Sequence, residues 1–270
     1  MFIDSHAHLF YSDFQSDLDE VLERARSAGV DAIVVPGTTA ETSREAVELA
    51  GRFPWIHACV GYHPHEASEA GEKELSAVKE LSQTPGVVAI GEIGLDFHYD
   101  LSPRERQREV FERQISLAIE RNLPIVVHTR ESTDESIETV KRLCGEHPEW
   151  RNDGNGSVKG ARGVFHCFTG SAEQARELFS LGFFVSFPGI VTFKNSPVLK
   201  TLEAIGYDSI LLETDSPFLT PVPFRGKRNE PSYIPFIANK IAEVLHATPG
   251  VVAERTAANT RQLFSLTTDV

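Results

Sequence analysis

Two histidines near the start of the chain, His6 and His8, have the spacing of a metal-binding pair. They follow Phe2 and Ile3, whose apolar side chains predict a first β-strand. Residues two apart in a strand point to the same side, so both imidazoles would face one way. Neutral imidazoles are common ligands of divalent metal ions. Either histidine alone could be an ordinary polar residue in a turn, so the interpretation depends on ligands from other segments.

Further histidines and carboxylates follow other apolar segments of the chain. Several come directly after apolar residues, where an unpaired charge is costly and coordination to a metal ion would remove that cost. These residues are His63, His65, Glu92, Asp96, His128, His166, Glu213 and Asp215. A two-metal hydrolytic centre needs two ligand sets joined by a bridging carboxylate. The predicted sets are His6, His8 and Asp215 for one ion, and His128 and His166 for the other, with Glu92 as the bridge.

The elements that must bring these residues together alternate between strand and helix. The predicted strands are 2–5, 32–36, 56–61, 87–92, 125–128, 163–166, 183–187 and 210–214, and the predicted helices are 18–28, 42–52, 72–82, 103–121, 132–146, 172–181, 197–205, 232–246 and 249–264. Continuous apolar runs such as 32–35 are typical of parallel strands buried on both faces. We therefore expect a single domain over residues 1–270, folded as a (β/α)8 TIM-like barrel with the metal site at the C-terminal ends of the strands. An open doubly wound sheet is the alternative, although it more often has a glycine-rich turn after the first strand.

Composition and charge limit the possible functions. The net charge is −13, from 26 basic and 39 acidic residues. Proteins that wrap duplex DNA are usually basic, so a DNA substrate would have to bind at a local site with help from metal ions. No segment is long and apolar enough to cross a membrane, and no secretory signal is recognisable. Three cysteines without a CxxC spacing are typical of reduced thiols, so we expect a cytoplasmic protein. Separately, we expect a monomer.

Six motifs occur in order along the chain. They are Asp4-Ser5-His6-Ala7-His8, Gly61-Tyr62-His63-Pro64-His65, Gly91-Glu92-Ile93-Gly94-Leu95-Asp96, His166-Cys167-Phe168-Thr169-Gly170, Glu213-Thr214-Asp215-Ser216-Pro217 and Arg225-Gly226-Lys227-Arg228-Asn229-Glu230-Pro231. Together they resemble the TatD-type metal-dependent deoxyribonucleases, over residues 1 to about 264. The resemblance implies a TIM-like barrel, phosphodiester hydrolysis, and the same six metal ligands. The one departure is a glycine-rich insertion at 151–160, which reads as a surface loop or short hairpin.

The resulting hypothesis is an exonuclease that hydrolyses DNA and favours single-stranded ends. Two divalent ions, of Mg, Mn, Zn or Co, would serve as cofactors, and the ligand types do not choose among them. Asp215 would orient the attacking water and accept its proton, and Glu92 would hold the two ions together. The residues expected to hold phosphate oxygens are His63, His65, Arg130, Arg225, Lys227 and Arg228. Phe97, Tyr99 and Phe218 lie near strand ends and could stack on unpaired bases, although packing in the core is the more common role for each ring alone.

Two other functions fit part of the pattern. One is a deacylase that acts on an ester or amide, such as aminoacyl-tRNA, in the same kind of barrel. Related barrels often use a carbamylated lysine as the bridge, and Glu92 at that place favours the nuclease. The other is a structural zinc site, but such sites are closed and often contain cysteines, whereas this ligand set needs none.

Overall fold

A computed structural model describes residues 1–151 and 161–267 of the chain. It contains an eight-stranded sheet in which sequence neighbours pair in parallel, from β1 to β8. The strands are β1 Phe2–Asp4, β2 Val30–Pro36, β3 Ile56–Val60, β4 Val87–Asp96, β5 Ile125–Arg130, β6 Gly163–Phe165, β7 Phe183–Phe187 and β8 Ile210–Leu212. This order and direction confirm the predicted TIM-like barrel.

Helices alternate with the strands, as predicted. They are α1 Leu18–Ser27, α2 Ala40–Arg52, α3 Glu72–Leu81, α4 Arg104–Arg121, α5 Thr133–Glu146, α6 Ala172–Ser180, α7 Leu199–Ile205, α8 Ile234–Val244 and α9 Pro249–Phe264. Within the described parts of the chain, none of these helices has the length and hydrophobicity needed to cross a membrane. The predicted loop or hairpin at 151–160 lies, apart from its first residue, outside the described residues.

The first and last strands are joined just beyond their ends. The Ser5 N–H donates to the Leu212 carbonyl at 3.0 Å, and the Asp215 N–H donates to the His6 carbonyl at 2.9 Å. The next bond in this series runs from the His8 N–H to the Ser216 carbonyl at 2.8 Å. The segments that complete the barrel are therefore the same segments that carry the first two histidines and Asp215.

Strand β4 is longer than predicted, because it continues past Glu92 to Asp96. Gly94 makes this extension possible: it has a φ of 144° and pairs with His128, whose carbonyl a Cβ at this position would hit. Only glycine fits so close an approach in this conformation. The extension keeps β4 beside β5 up to the level at which the site residues begin.

One side chain from each of β2 to β8 forms a cluster inside the barrel. These residues are Val34, Cys59, Ala89, Val126, Val164, Phe184 and Leu211, and Leu263 and Phe264 at the end of α9 pack against them. Their strand neighbours, such as Ile33 and Val35, belong instead to the cluster that the surrounding helices cover. The alternation is the two-residue period of a strand buried on both faces.

Candidate metal centre

The site residues continue the inward-facing rows of the strands. His128 lies two positions after Val126, His166 two after Val164, and Glu213 two after Leu211. A period of two therefore directs these side chains toward the axis of the barrel, above the last layer of its core. Histidine and carboxylate side chains replace valine and leucine at the level where the barrel opens.

The carboxylate of Glu92 lies at the middle of the site, with 3% of its side chain exposed. Two imidazoles face its Oε2 atom, with Nε2 of His6 at 3.3 Å and Nε2 of His8 at 3.6 Å. Three more face its Oε1 atom: His166 Nε2 at 2.8 Å, His128 Nδ1 at 3.1 Å and His63 Nε2 at 3.4 Å. Each oxygen of one buried carboxylate thus has its own group of imidazoles.

Asp215 completes the group on the Oε2 side. Its Oδ1 atom lies 3.8 Å from Nε2 of His6 and 3.6 Å from Nε2 of His8. Three sets of possible ligand atoms, each within 4.8 Å of one another, follow from these positions: His6, His166 and Asp215; His6, His8 and Glu92; and His63, Glu92 and His128. The structure therefore brings all six of the predicted metal ligands into one cluster.

The protonation of the cluster follows from burial and mutual charge. Burial would raise the pKa of Glu92, but nearby His166, His63 and His6 outweigh it and hold that pKa well below its usual range. Burial lowers the pKa of His6 and of His63 to about 4, which leaves both imidazoles neutral near pH 7. The pKa of His166 is raised to about 9, because the Glu92 anion outweighs the opposing effect of burial. A metal ion can bind His166 only if it displaces this proton, so protons and metal ions compete at this place.

The cluster has the properties that a metal site requires. The Nε2 atoms of His6 and His8 face each other at 3.2 Å, although both also face carboxylates. Two such nitrogens are best stabilised by one shared cation. The donor set of imidazoles and carboxylates therefore fits divalent metal ions.

His63 has a different hydrogen-bonding role from the other histidines. Its Nδ1 atom accepts a hydrogen bond from the backbone N–H of His65 at 3.2 Å. The neutral ring therefore carries its proton on Nε2, which points toward Glu92. In this tautomer Nε2 donates a hydrogen bond and offers no lone pair to a metal ion. A donor at this place suits the phosphate contact that the sequence predicts for His63.

Asp96, which was predicted to follow an apolar strand but was assigned no role, orients two of the histidines. Its Oδ2 atom lies 2.8 Å from Nε2 of His65 and 3.1 Å from Nε2 of His128. Since a carboxylate only accepts, each of these nitrogens donates, and Nδ1 of His128 is left free to face Glu92. The buried side chain of Gln107 on α4 holds the backbone of Asp96, with its Oε1 2.8 Å from the Asp96 N–H. The Nε2–H group of His65, which was predicted to hold phosphate, is therefore already donated to Asp96.

Two further buried carboxylates, those of Asp4 and Glu213, form hydrogen bonds with the segments that carry the metal ligands. Asp4 Oδ2 accepts a hydrogen bond from the Thr214 hydroxyl at 2.6 Å, and Asp4 Oδ1 accepts one from the Thr214 N–H at 2.9 Å. Glu213 accepts from the Cys167 N–H at 2.7 Å and from the Ser186 hydroxyl at 2.6 Å. Burial raises the pKa of both carboxyl groups to about 7. These contacts join the end of β8 to the neighbouring strands at the level of the first metal ligands. In the sequence, both residues could have been recognised as acids directly beside a fully apolar strand.

The predicted phosphate-binding cations lie outside the cluster. Arg130 packs its guanidinium 4.6 Å from the ring centre of Tyr99, and Arg225 packs 3.8 Å from that of Phe193. The Lys227 ammonium lies 5.8 Å from the ring centre of Phe224. Arg228 is held by both oxygens of Asp17 at 2.7 Å each, so its donors are already engaged by this chain.

Aromatic rings lie on both sides of the centre. Phe218, with 51% of its surface exposed, lies 5.9 Å from Tyr11, and Tyr11 stacks on His8 at 5.1 Å. On the other side Tyr99, 52% exposed, lies 5.4 Å from His65. Phe97 has two guanidinium groups over its ring, that of Arg104 at 4.6 Å and that of Arg108 at 5.4 Å, and Tyr99 has that of Arg130 at 4.6 Å. Among the described residues, Phe218 is therefore the exposed ring near the site on which no cation packs.

Comparisons with known proteins match nearly the whole chain, including all the segments that carry this site. The family model described as TatD related DNase matches residues 3–265. An uncharacterized metal-dependent hydrolase of Bacillus subtilis, YabD, is 44% identical over 267 residues, which cover 98% of this chain and 100% of that protein. A protein of Erwinia tasmaniensis named 3'-5' ssDNA/RNA exonuclease TatD is 34% identical, with 97% of this chain and 99% of that protein covered. The crystal structure of YJJV, a TatD homolog from Escherichia coli, superposes with a TM-score of 0.88 at 30% identity and covers 98% of both chains.

Proposed function

The chain belongs to the TatD related DNase family and is a metal-dependent hydrolase that acts on ester bonds, and from this premise we propose that it is an exonuclease. Its substrate in this proposal is single-stranded DNA, or the single-stranded end of a duplex. The bond hydrolysed is the terminal phosphodiester. Several relatives that carry an exonuclease name support this choice.

The observation that carries the proposal is the position of Glu92 between two groups of imidazoles. Its Oε2 atom faces His6 and His8, and its Oε1 atom faces His128 and His166. Two ligand sets that share one carboxylate are the arrangement of a two-metal hydrolytic centre. We therefore assign one divalent ion to the set of His6, His8 and Asp215, and a second to His128 and His166, with Glu92 between them. Such ions, when bound, stabilise negative charge on phosphate oxygens and make water more acidic.

Asp215 is the residue that we assign to the attacking water. Its side chain is 13% exposed, more than that of Glu92, and it faces the same imidazoles. Burial would raise the pKa of Asp215, but the hydrogen bond from His8 and the charges of His6 and His166 lower it. The carboxylate is therefore ionised and accepts a hydrogen bond from the water and then its proton.

The substrate phosphate would be held by donors around the cluster. The Nε2–H group of His63 points into the site and donates to a phosphate oxygen. Arg130, Arg225 and Lys227 are each packed on an aromatic ring, which leaves their charged groups available to phosphates. Arg228 is less suited to this role, because Asp17 already holds it.

A preference for single strands would follow from the exposed rings. Phe218 presents an open aromatic face on one side of the centre, and Tyr99, which carries the Arg130 guanidinium on its ring, is half exposed on the other. Stacking on such faces requires an unpaired base and contributes about 1–3 kcal/mol for each base. A paired base has no free face to offer.

The proposal is tested by digestion of end-labelled single-stranded DNA with the purified protein, after chelation and after addition of Mg, Mn, Zn or Co. We expect stepwise loss of nucleotides that depends on metal and is faster on single strands than on blunt duplexes. RNA of the same sequence and an aminoacyl-tRNA serve as parallel substrates. Release of the amino acid without loss of nucleotides would favour the deacylase over the nuclease.

A Glu92→Ala variant tests the role of the bridging carboxylate. It should lose turnover with every metal and remain folded by circular dichroism, because the ligand sets would no longer share an anion. Near-normal digestion by this variant with added metal would contradict the two-metal assignment.

A further inference from the structure

Two segments near the C-terminal third of this acidic chain carry basic residues and no acidic ones. Residues 178–202 and 216–229 contain no aspartate or glutamate, although the chain has 39 acidic residues. The same two segments contain five basic residues: Lys194, Lys200, Arg225, Lys227 and Arg228. The first segment includes the loop after β7 and the start of α7, and the second forms the loop after β8.

These two loops pack against each other on the rim that carries the metal centre. The Val222 N–H donates to the Thr192 hydroxyl at 2.9 Å, and the Arg225 guanidinium covers the Phe193 ring at 3.8 Å. A Cβ on Gly189 would collide with the Leu219 carbonyl, so the two backbones are in direct contact. Both loops follow the C-terminal ends of their strands, which is the end of the barrel where the ligands lie.

The rim extends from the catalytic residues outward. The Phe218 N–H donates to the Asp215 carbonyl at 2.8 Å, so the β8 loop begins at the centre itself. At the other end, the Thr201 hydroxyl donates to the Gly170 carbonyl at 2.9 Å, which attaches the start of α7 to the loop after His166. Lys200 precedes Thr201 in the first turn of α7.

Four of these cations have no carboxylate partner in the described parts of the chain. Among the described residues, no carboxylate lies within ion-pair distance of Lys194, Lys200, Arg225 or Lys227, and all four side chains are exposed. Arg228 differs, because Asp17 binds it. Most of the other described cations are paired in the same way, for example Lys79 with Glu120. Other exposed cations without a carboxylate partner among the described residues, such as Arg44, Lys73 and Arg130, lie on other elements. These four lie together on the two packed loops and the start of α7, and we name them the basic rim.

We propose that the basic rim binds the sugar–phosphate backbone of a single-stranded nucleic acid and guides the strand to the metal centre. This inference rests on the proposed nuclease function and adds to it the path of the strand beyond the bond that is cleaved. The net charge of −13 means that the rest of the surface carries an excess of acidic groups that repels a polyanion, so the four grouped cations of the rim favour one path for the strand. Phe218, in the β8 loop with its ring centre 6.2 Å from that of His8, offers its exposed ring to a base along this path.

The test removes the two lysines of the rim that the catalytic proposal does not use. Binding of a fluorescent phosphorothioate oligothymidylate, which keeps its charge and resists hydrolysis, is measured by anisotropy with the metal-loaded protein at a series of salt concentrations. Each contact with a single-stranded phosphate contributes about 0.7 to the slope of log K against log salt. The double variant Lys194→Ala/Lys200→Ala should therefore bind more weakly, with a slope reduced by about 1.4.

A double variant of the same net charge provides the control. Lys79→Ala/Lys141→Ala removes two lysines that pair with Glu120 and Glu177 on the helical surface, and it should keep the wild-type slope and affinity. If both double variants weaken binding equally, net charge and not the rim is responsible, and the inference is wrong. Should the first variant fold poorly, Lys194→Gln/Lys200→Gln is measured in its place.

The two proposals fail in different ways. If the wild type digests DNA but the slope does not change in the rim variant, the rim inference is wrong and the nuclease function stands. If the wild type binds the oligonucleotide through the rim but digests no strand with any metal, the exonuclease is wrong. No binding by the wild type would overturn the rim inference directly.

Discussion

Replacement of Asp96 by asparagine should weaken the site through one histidine that Asp96 orients. The Oδ1 atom of Asp96 accepts hydrogen bonds from the backbone N–H groups of His98 and Tyr99, both at 3.0 Å. An asparagine would keep its carbonyl oxygen there and turn its NH2 group toward His65 and His128. His128 Nε2 would then have to accept, so its proton would move to Nδ1, the atom that now faces Glu92.

The substitution should lower metal affinity, because a metal-binding histidine would lose the hydrogen-bond acceptor of its second ring nitrogen. Such losses typically lower metal affinity about 10–100-fold, or about 1.4–2.8 kcal/mol. The ion assigned to His128 and His166 should be weakened by this factor. The ion assigned to His6, His8 and Asp215 should keep its affinity, because Asp96 forms no contact with that set among the described residues.

Competition of the metal-free protein with a chromophoric chelator measures both affinities. Asp100→Asn is a matched control, since Asp100 lies in the loop that follows Asp96, is half exposed and pairs with Arg104 on the surface. We expect two wild-type affinities for Asp100→Asn and one lowered affinity for Asp96→Asn. Two unchanged affinities in the Asp96→Asn variant, or an equal loss of both, would refute the tautomer argument.

Three further predictions concern the proton acceptor, the barrel closure and the metal-free centre. Asp215→Asn should lower kcat about 10²–10⁴-fold at saturating metal, as loss of a proton acceptor does, and a loss below tenfold in single-turnover digestion would exclude that role. Thr214→Val removes the hydroxyl that donates to buried Asp4 and should lower the free energy of unfolding by about 1–3 kcal/mol in urea. The control Thr139→Val removes a hydroxyl that bonds only within its own helix, and equal losses in the two variants would contradict the closure argument. Metal affinity should rise with pH below about 9, because the pKa of His166 is raised to about 9 and metal binding must release this proton. An affinity that chelator competition finds unchanged with pH would contradict this protonation.

The order of the elements was predictable because each has a local cause. The apolar run of β2 and the 3.6-residue periodicity of α5 require no knowledge of the rest of the chain. The end of β4 was predicted four residues too early, at Glu92. Its continuation depends on the close contact between Gly94 and His128, which belongs to the neighbouring strand and has no local signal.

The candidate ligands were also predictable, since acids and histidines directly after apolar strands are rare without a function. The environment of each ligand was not. Asp96 was predicted to follow an apolar strand and was assigned no role, although it orients His65 and His128. Arg228 was predicted to hold phosphate, whereas its guanidinium lies against Asp17, more than 200 positions earlier in the chain. Such pairings depend on how α1 and the β8 loop meet in space.

The sequence by itself determined the alternation of strands and helices, the kinds of ligand, and the level of the barrel at which they lie. A strand period of two and the position of each acid or histidine after its strand are sufficient for that. Only the tertiary structure decided which nitrogen of each imidazole faces the centre, which cations are paired and which remain free. These properties depend on contacts within about 4 Å between residues far apart in sequence, and closure of the barrel is what creates those contacts.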